Sequence, residues 1–428
     1  MFVGQETGIV TAKSLIRTLV PGGFEADLSY FTACFLPMNL FSGQFLLGEN
    51  DLQAALHVSP ALGHAISSIS LLHRSSMFQD GCLIRYNRQD LQKAMESYSQ
   101  SVRLIQCLIW SNKFESEPHA LWSTFLLGLF EVCDQRNPSA KDLLTGQLMR
   151  DTTGRNWLVH FLSGTCTILR LQHPSSLLFQ DENNVRRRKF FLATRIFEIS
   201  RSLIFTQPTF LADSNWVNAL TLLWAVDGVG LWHPKEAMFD MLPKFSELSI
   251  RAIRFCHTEA AQLPRIQQIE RANSLAIEGL LLQTMLREWR EIAMQWLDAK
   301  PDISTRPDVD LLIAQVYFHA INIYLSGIFD YHEPWTEEGA PCAPILTRDE
   351  VEYHLAEIFL LSRKLLAAGV AGIMLFFPLR VAGARSRRFQ DQDLIISFFR
   401  QISQRGYTTA TTLVSELGAL WGVTGWPS

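Results

Sequence analysis

The sequence predicts an all-α fold: a single multi-helical domain of roughly twelve to sixteen helices with no sheet, since helical periodicity runs through nearly every segment. Three observations carry this. Apolar residues recur at steps of three and four over long stretches, as only an α-helix can place on one face. Capping residues and first-turn prolines stand where those stretches begin. No window sustains period-two alternation bounded by Asn-Gly or Asp-Gly turns, so strand signals are absent.

In chain order, Ser59 and Pro60 supply a cap and a first-turn proline to a helix carrying Ala61, Leu62, Ala65, Ile66, Ile69 and Leu72. From 91 to 109 the residues Leu91, Ala94, Met95, Tyr98, Val102, Ile105 and Ile109 form one stripe. The segment 117–132 is apolar nearly all round, which predicts a central buried helix. Further helices are predicted over 155–171, 185–205, 216–232, 235–262, 265–299, 308–329, 347–368 and 390–421, the last broken near Gly406. Thr347 followed by Glu350 matches the capping box, in which hydroxyl and carboxylate each satisfy a free backbone N–H.

Two apolar stretches bear on membranes. Between 311 and 329 the run is interrupted by Gln315, His319, Asn322 and Ser326, whose spacing puts them on one stripe of an amphipathic, buried helix. The run from 365 to 377 is shorter than the ~20 residues a bilayer requires, and Pro378 ends it. No membrane association is expected. Residues 1–428 therefore read as one continuous helical domain, with the proline- and acid-rich stretch 330–346 the one place where two lobes would divide. No repeat of 33–47 residues appears, which argues against helical repeat arrays.

Composition removes several function classes. Lys and Arg total 38 against 42 Asp and Glu, for a net charge of −4, and the pI near 6.3 opposes a surface built to grip phosphates. At 48% hydrophobic and 19% charged residues the chain lies far from the composition of disorder. The seven cysteines are scattered, the closest two being Cys82 and Cys107, so neither a disulfide framework nor a C-x-x-C metal or redox motif is present. The first twenty residues carry Glu6 before any sustained apolar run and no small-residue cleavage site, and no signal peptide is expected.

Catalytic signatures are missing from the sequence. There is no DDxxD, H-E-x-x-H, G-x-S-x-G, Walker A or G-x-G-x-x-G motif, so no catalytic, metal or cofactor-binding residues are assigned and no cofactor is expected. Cys256 and His257 are adjacent, and their side chains point to different faces of a helix. Glu333, Glu337 and Glu338 read as a solvated acidic loop. Arg186, Arg187, Arg188 and Lys189 are the one basic run of four, a candidate nuclear import signal whose competing reading is a solvated first helical turn. Arg385, Arg387 and Arg388 form a weaker cluster. The eleven tryptophans read mostly as packing, and they leave room for an apolar pocket able to hold a small hydrophobic effector.

The order of these segments resembles the regulatory domain of fungal zinc-cluster transcription factors, the fungal-specific transcription factor domain or middle homology region. The resemblance covers about the whole chain. It rests on SPALGHAISSISLLHRSS from Ser59, YNRQDLQKAMESYSQSVRLI from Tyr86, and ALWSTFLLGLFEVCD from Ala120 with its Phe130-Glu131 ending. Trp157, His160 and Gly164 match a W-x-x-H-x-x-G helix, and Pro378 to Gly383 echo a Pro-x-x-x-x-Gly turn before two helices and Trp421. These are packing and turn positions, with Gly164 expected to allow close helix approach.

The chain departs from such factors in lacking the six-cysteine zinc module, so direct DNA binding by a zinc cluster is not expected. Either an upstream exon encoding that module is missing, or the regulator works without it. The resemblance implies a nuclear transcriptional regulator that acts through another transcription factor, a co-regulator or a small hydrophobic effector, in control of a fungal secondary-metabolite gene cluster. The alternatives are an all-α enzyme acting on a hydrophobic small molecule and a cytosolic scaffold.

Overall fold

The computed structural model describes residues 24–41, 59–77, 88–133 apart from 115 and 118, 169–170, 173–226, 232–299 and 307–422. Among them secondary structure is helical, with one isolated parallel bridge between Leu40 and Val370. The chain divides into two compact units, Met1–Pro37 with Leu47–Phe130, and Met38–Leu46 with Glu131–Ser428.

In the first unit, α1 (Phe24–Tyr30) runs into a π-turn at Phe31–Phe35. α2 (Pro60–Met77) packs against α3 (Arg88–Trp110). All six apolar residues predicted for the α2 face are buried. On α3 the buried line is narrower, with Ala94, Ser101 and Ile105 inside. Ser101 is tolerated there because its hydroxyl donates to the Ala61 carbonyl at 2.7 Å. The stripe frays at its end: Ile109 is exposed and Trp110 is 79% exposed, so this tryptophan is not packing. α4 (Ala120–Cys133) is apolar nearly all round as expected, and its Phe130 ring stacks on Tyr98 with centroids 4.8 Å apart.

The second unit holds α5 (Glu182–Phe205), α6 (Ser214–Val226), α7 (Pro234–Arg254), α8 (Arg265–Asp298), α9 (Val309–Asp330), α10 (Arg348–Ala367), α11 (Phe376–Arg385), α12 (Phe389–Gln404) and α13 (Ala410–Leu420). α9 packs against α7, α8, α10 and α11. By length and composition it would cross a bilayer, yet 72% of its most apolar window is buried inside the protein. Its polar stripe is used for bonding: Ser326 Oγ accepts from the Leu346 N–H at 3.0 Å, and Asn322 donates to the Phe318 carbonyl at 2.8 Å. The segment 330–346 lies within this unit, where the buried Trp335 donates Nε1–H to the Ala272 carbonyl at 3.0 Å.

Helix boundaries follow the capping chemistry. Asp308 caps α9 by accepting from the Leu311 N–H at 3.0 Å, and Thr347 with Glu350 forms the capping box of α10. α12 and α13 part around Gly406, whose φ of 102° suits glycine. Three expectations need correction. Trp232 lies outside any helix, α6 being described as far as Val226. The segment predicted as one helix from 235 to 262 is α7 followed by a π-turn at Phe255–Glu259 and a 3-10 turn. Pro378 and Gly383 lie inside α11 and mark no turn: Pro378 sits in the first helical turn, where a missing N–H costs no helical bond. The predicted helix 155–171 lies almost entirely outside the described residues.

Gly383 and Gly372 are places where a side chain would collide. A Cβ on Gly383 would meet the Leu417 methyls at 2.6 Å, and one on Gly372 would meet Ile402 at 2.5 Å, with the Ile402 Cβ itself at 2.9 Å. Leucine methyls swing aside more readily than a branch at Cβ. We therefore expect Gly372→Ala to cost about 1–3 kcal/mol in urea unfolding and Gly383→Ala to cost less. Equal costs, or none, would contradict this packing.

α9 and α10 also join a histidine pair, His319 Nδ1 and His354 Nδ1 lying 2.8 Å apart among Phe318 and Tyr353. Burial, with the neighbouring His354 and Arg290, pushes His319 down to about 3. Burial and Arg290 push His354 down to about 4 against the pull of Glu350. Both folded values lie below that of an unfolded histidine near ~6.5, so the unfolded chain binds more protons between those limits. Stability present above that pH is thus lost as pH falls towards 4, by at most about 1.4 kcal/mol per pH unit for each histidine. Replacing both by phenylalanine should flatten that slope in pH-resolved unfolding, and an unchanged slope would refute a neutral buried pair.

Candidate functional site

α5, α6, α7 and α8, all in the second unit, border a cleft of about 480 Å3. Its walls are mainly apolar: Leu220 and Trp224 from α6, Phe239 and Pro243 from α7, Trp289 from α8, and Trp232 before α7. Trp289 donates Nε1–H to the Pro234 carbonyl at 2.8 Å, which fixes its indole as a wall. The start of α7 is set by His233, whose Nδ1 accepts from the Lys235 N–H at 3.0 Å while Nε2 faces Asp308 at 3.1 Å. Burial would push the Asp308 carboxyl up, but hydrogen bonds from His233 and the Leu311 N–H hold it down at about 2.

Behind the apolar walls lies a buried ionic cluster. Arg195 on α5 is 1% exposed; its Nη2 reaches Glu236 Oε2 at 2.7 Å and the Glu236 carbonyl at 3.1 Å, and its Nη1 bonds Asp240. Lys235, equally buried, lies 3.0 Å from Glu236 and 3.3 Å from Asp310 on α9. Burial pushes the Glu236 carboxyl up, and Lys235 and Arg195 together pull it below its ordinary value. Asp240 differs: burial raises its carboxyl above the ordinary value although Arg195 opposes this. Its side chain is 26% exposed and lines the cleft, and its Oδ2 accepts from Trp224 Nε1 at 2.6 Å. The remaining charged groups of the lining, Lys244, Glu247 and Glu288, are solvent-exposed and form the rim.

The residues singled out from sequence fall elsewhere. Arg186 pairs with Glu182 on the exposed side of the first turns of α5, and Lys189 is exposed. Arg187 is half-buried, and Arg188 is buried with Nη1 donating to the Leu177 carbonyl at 3.0 Å. The basic run is therefore folded into a helix with one cation turned inward. Phe130 is in the core of α4 with Glu131 half-buried beside it. Trp157, His160 and Gly164 lie outside the described residues. Pro378 and Gly383 shape α11, where the Gly383 carbonyl accepts from Trp421 Nε1 at 3.0 Å. None of the described residues among these lines the cleft. Among the described residues no three His, Cys, Asp or Glu side chains converge as a metal would need.

Sequence reasoning missed Arg195, Lys235, Glu236 and Asp240. A signal existed in Arg195, Glu198 and Arg201, charged residues set at steps of three in the stretch 190–205 that otherwise holds only apolar residues, Thr194, Ser200 and Ser202. Glu198 and Arg201 also prove to be buried, joined by two bonds at 2.7 and 2.8 Å.

Removing the shared cation should be costly because the carboxylates cannot regain water. Arg195→Met is expected to lose about 3–5 kcal/mol of unfolding free energy, measured by urea titration at neutral pH. A loss below ~1 kcal/mol would show that the cluster is not a structural centre.

The family model described as fungal specific transcription factor domain matches residues 28–421. No curated protein matches the chain. No solved structure matches it either.

Proposed function

The chain belongs to the fungal specific transcription factor domain family, and from that premise we propose that it is a non-catalytic transcriptional regulator whose α5–α8 cleft receives a small hydrophobic effector. The supporting observation is the cleft: about 480 Å3, mainly apolar, with three tryptophans in its lining, a size and character suited to a small molecule. Effector binding would act by favouring one packing of α6 and α8 over another, which requires different contacts with the effector in the two states.

The regulator acts in the nucleus through another transcription factor or a co-regulator, and its targets are the genes of a secondary-metabolite cluster. The basic run contributes to import through the exposed Arg186 and Lys189 and the half-buried Arg187. Arg188 is excluded from that role because it is buried.

Two outcomes test the reading. Deleting the gene should change a discrete, coordinated set of transcripts; unchanged expression with failure of a single metabolite step would instead favour an enzyme. Arg186→Ala, Arg187→Ala and Lys189→Ala combined should lower the nuclear-to-cytoplasmic ratio of a fluorescent fusion. An unaltered ratio would remove the basic run from the account.

A further inference from the structure

The cleft offers hydrogen-bond acceptors deep inside and acids at its mouth. Asp240 uses Oδ1 for Arg195 and Oδ2 for Trp224, and a carboxylate has about four acceptor sites, so acceptor capacity remains on the part of the side chain that faces the cleft. Arg195 is 1% exposed, its Nη1 and Nη2 are taken by Asp240 and Glu236, and only its buried Nε–H is left without a partner. Pro243, inside α7, has no N–H to close the helical bond on the Phe239 carbonyl, and both residues line the cleft. At the rim Glu247 and Glu288 stand against Lys244.

A neutral apolar ligand would fill the volume but leave Asp240 cut off from water without a new partner, which is costly. A ligand carboxylate would face Asp240, Glu247 and Glu288. A ligand ammonium would bond Asp240 and lie among indole rings, whose faces attract cations. We propose that the cleft recognises an apolar, aromatic-sized molecule bearing a protonated amine, with Asp240 as the group that reads the charge and the tryptophans as its walls. This rests on the reading of the cleft as an effector site. Burial raises the Asp240 carboxyl against the pull of Arg195, which agrees with a group whose charge its protein partners under-compensate.

The test is isothermal titration calorimetry on the full chain with three probes of matched shape: tryptamine, 3-ethylindole and indole-3-propionate. Tryptamine should bind about tenfold or more tighter than 3-ethylindole, with the carboxylate weakest. Asp240→Asn should abolish that preference while 3-ethylindole still binds. Should that variant fail to fold, Glu288→Gln, at an exposed position, should shrink the tryptamine preference by about twofold while sparing 3-ethylindole. Equal affinities for the three probes, or a preference for the carboxylate, would overturn the amine assignment and leave the effector cleft standing. Binding by none of the three would overturn both.

Discussion

The second unit is organised around a charge that cannot reach water. Arg195 lies in the middle of α5, and its guanidinium is satisfied by α7 through Glu236 and Asp240. Glu236 is shared with Lys235, which reaches α9 through Asp310. Five charges are thereby held between α5, α7 and α9, and Trp224 attaches α6 to the same cluster. Such a cluster adds little net stability compared with an apolar core of equal volume, but breaking it is costly, so it fixes which packing the helices adopt. The apolar packing around it is dispersive and tolerant of small shifts, whereas this cluster has one satisfactory geometry.

The cleft follows from that constraint. Because α5 and α7 are locked through Arg195, Asp240 stands at the edge of the cluster with part of its side chain in the cavity. The apolar walls come from α6, α7 and α8 and from Trp232. An effector that touches Asp240 also touches a residue bonded to α5 and α6, so occupancy is felt in the helices that define the unit. That linkage is what a regulatory domain requires: a site whose filling alters the relative energies of two packings.

How much of this was legible in sequence depends on the physics behind each feature. Local rules were readable. The Thr347 and Glu350 box and the break at Gly406 depend on neighbouring residues, and both stand in the structure. Pro378 misled because a proline is as welcome in a first helical turn as after a last one, and only the chain beyond it decides which. Nothing in the sequence marks Lys235 and Glu236, since charged residues are common in a first helical turn. Their burial is created by α5 and α9, distant in sequence. Ile109 shows the converse, an apolar residue in register with a helical stripe yet exposed in the structure. The family resemblance identified the kind of domain, while its described positions Phe130, Glu131, Pro378 and Gly383 lie away from the cleft.

Hydrogen exchange on the intact chain, with and without tryptamine, is the most direct measurement of whether the ionic cluster and the cleft act as one structure. The account predicts slow exchange in the middle of α5 and the start of α7 in the free protein, and added protection on binding in α6, α7 and the part of α8 around Trp289. Fast exchange around Arg195, or ligand protection confined to helices of the first unit, would contradict it.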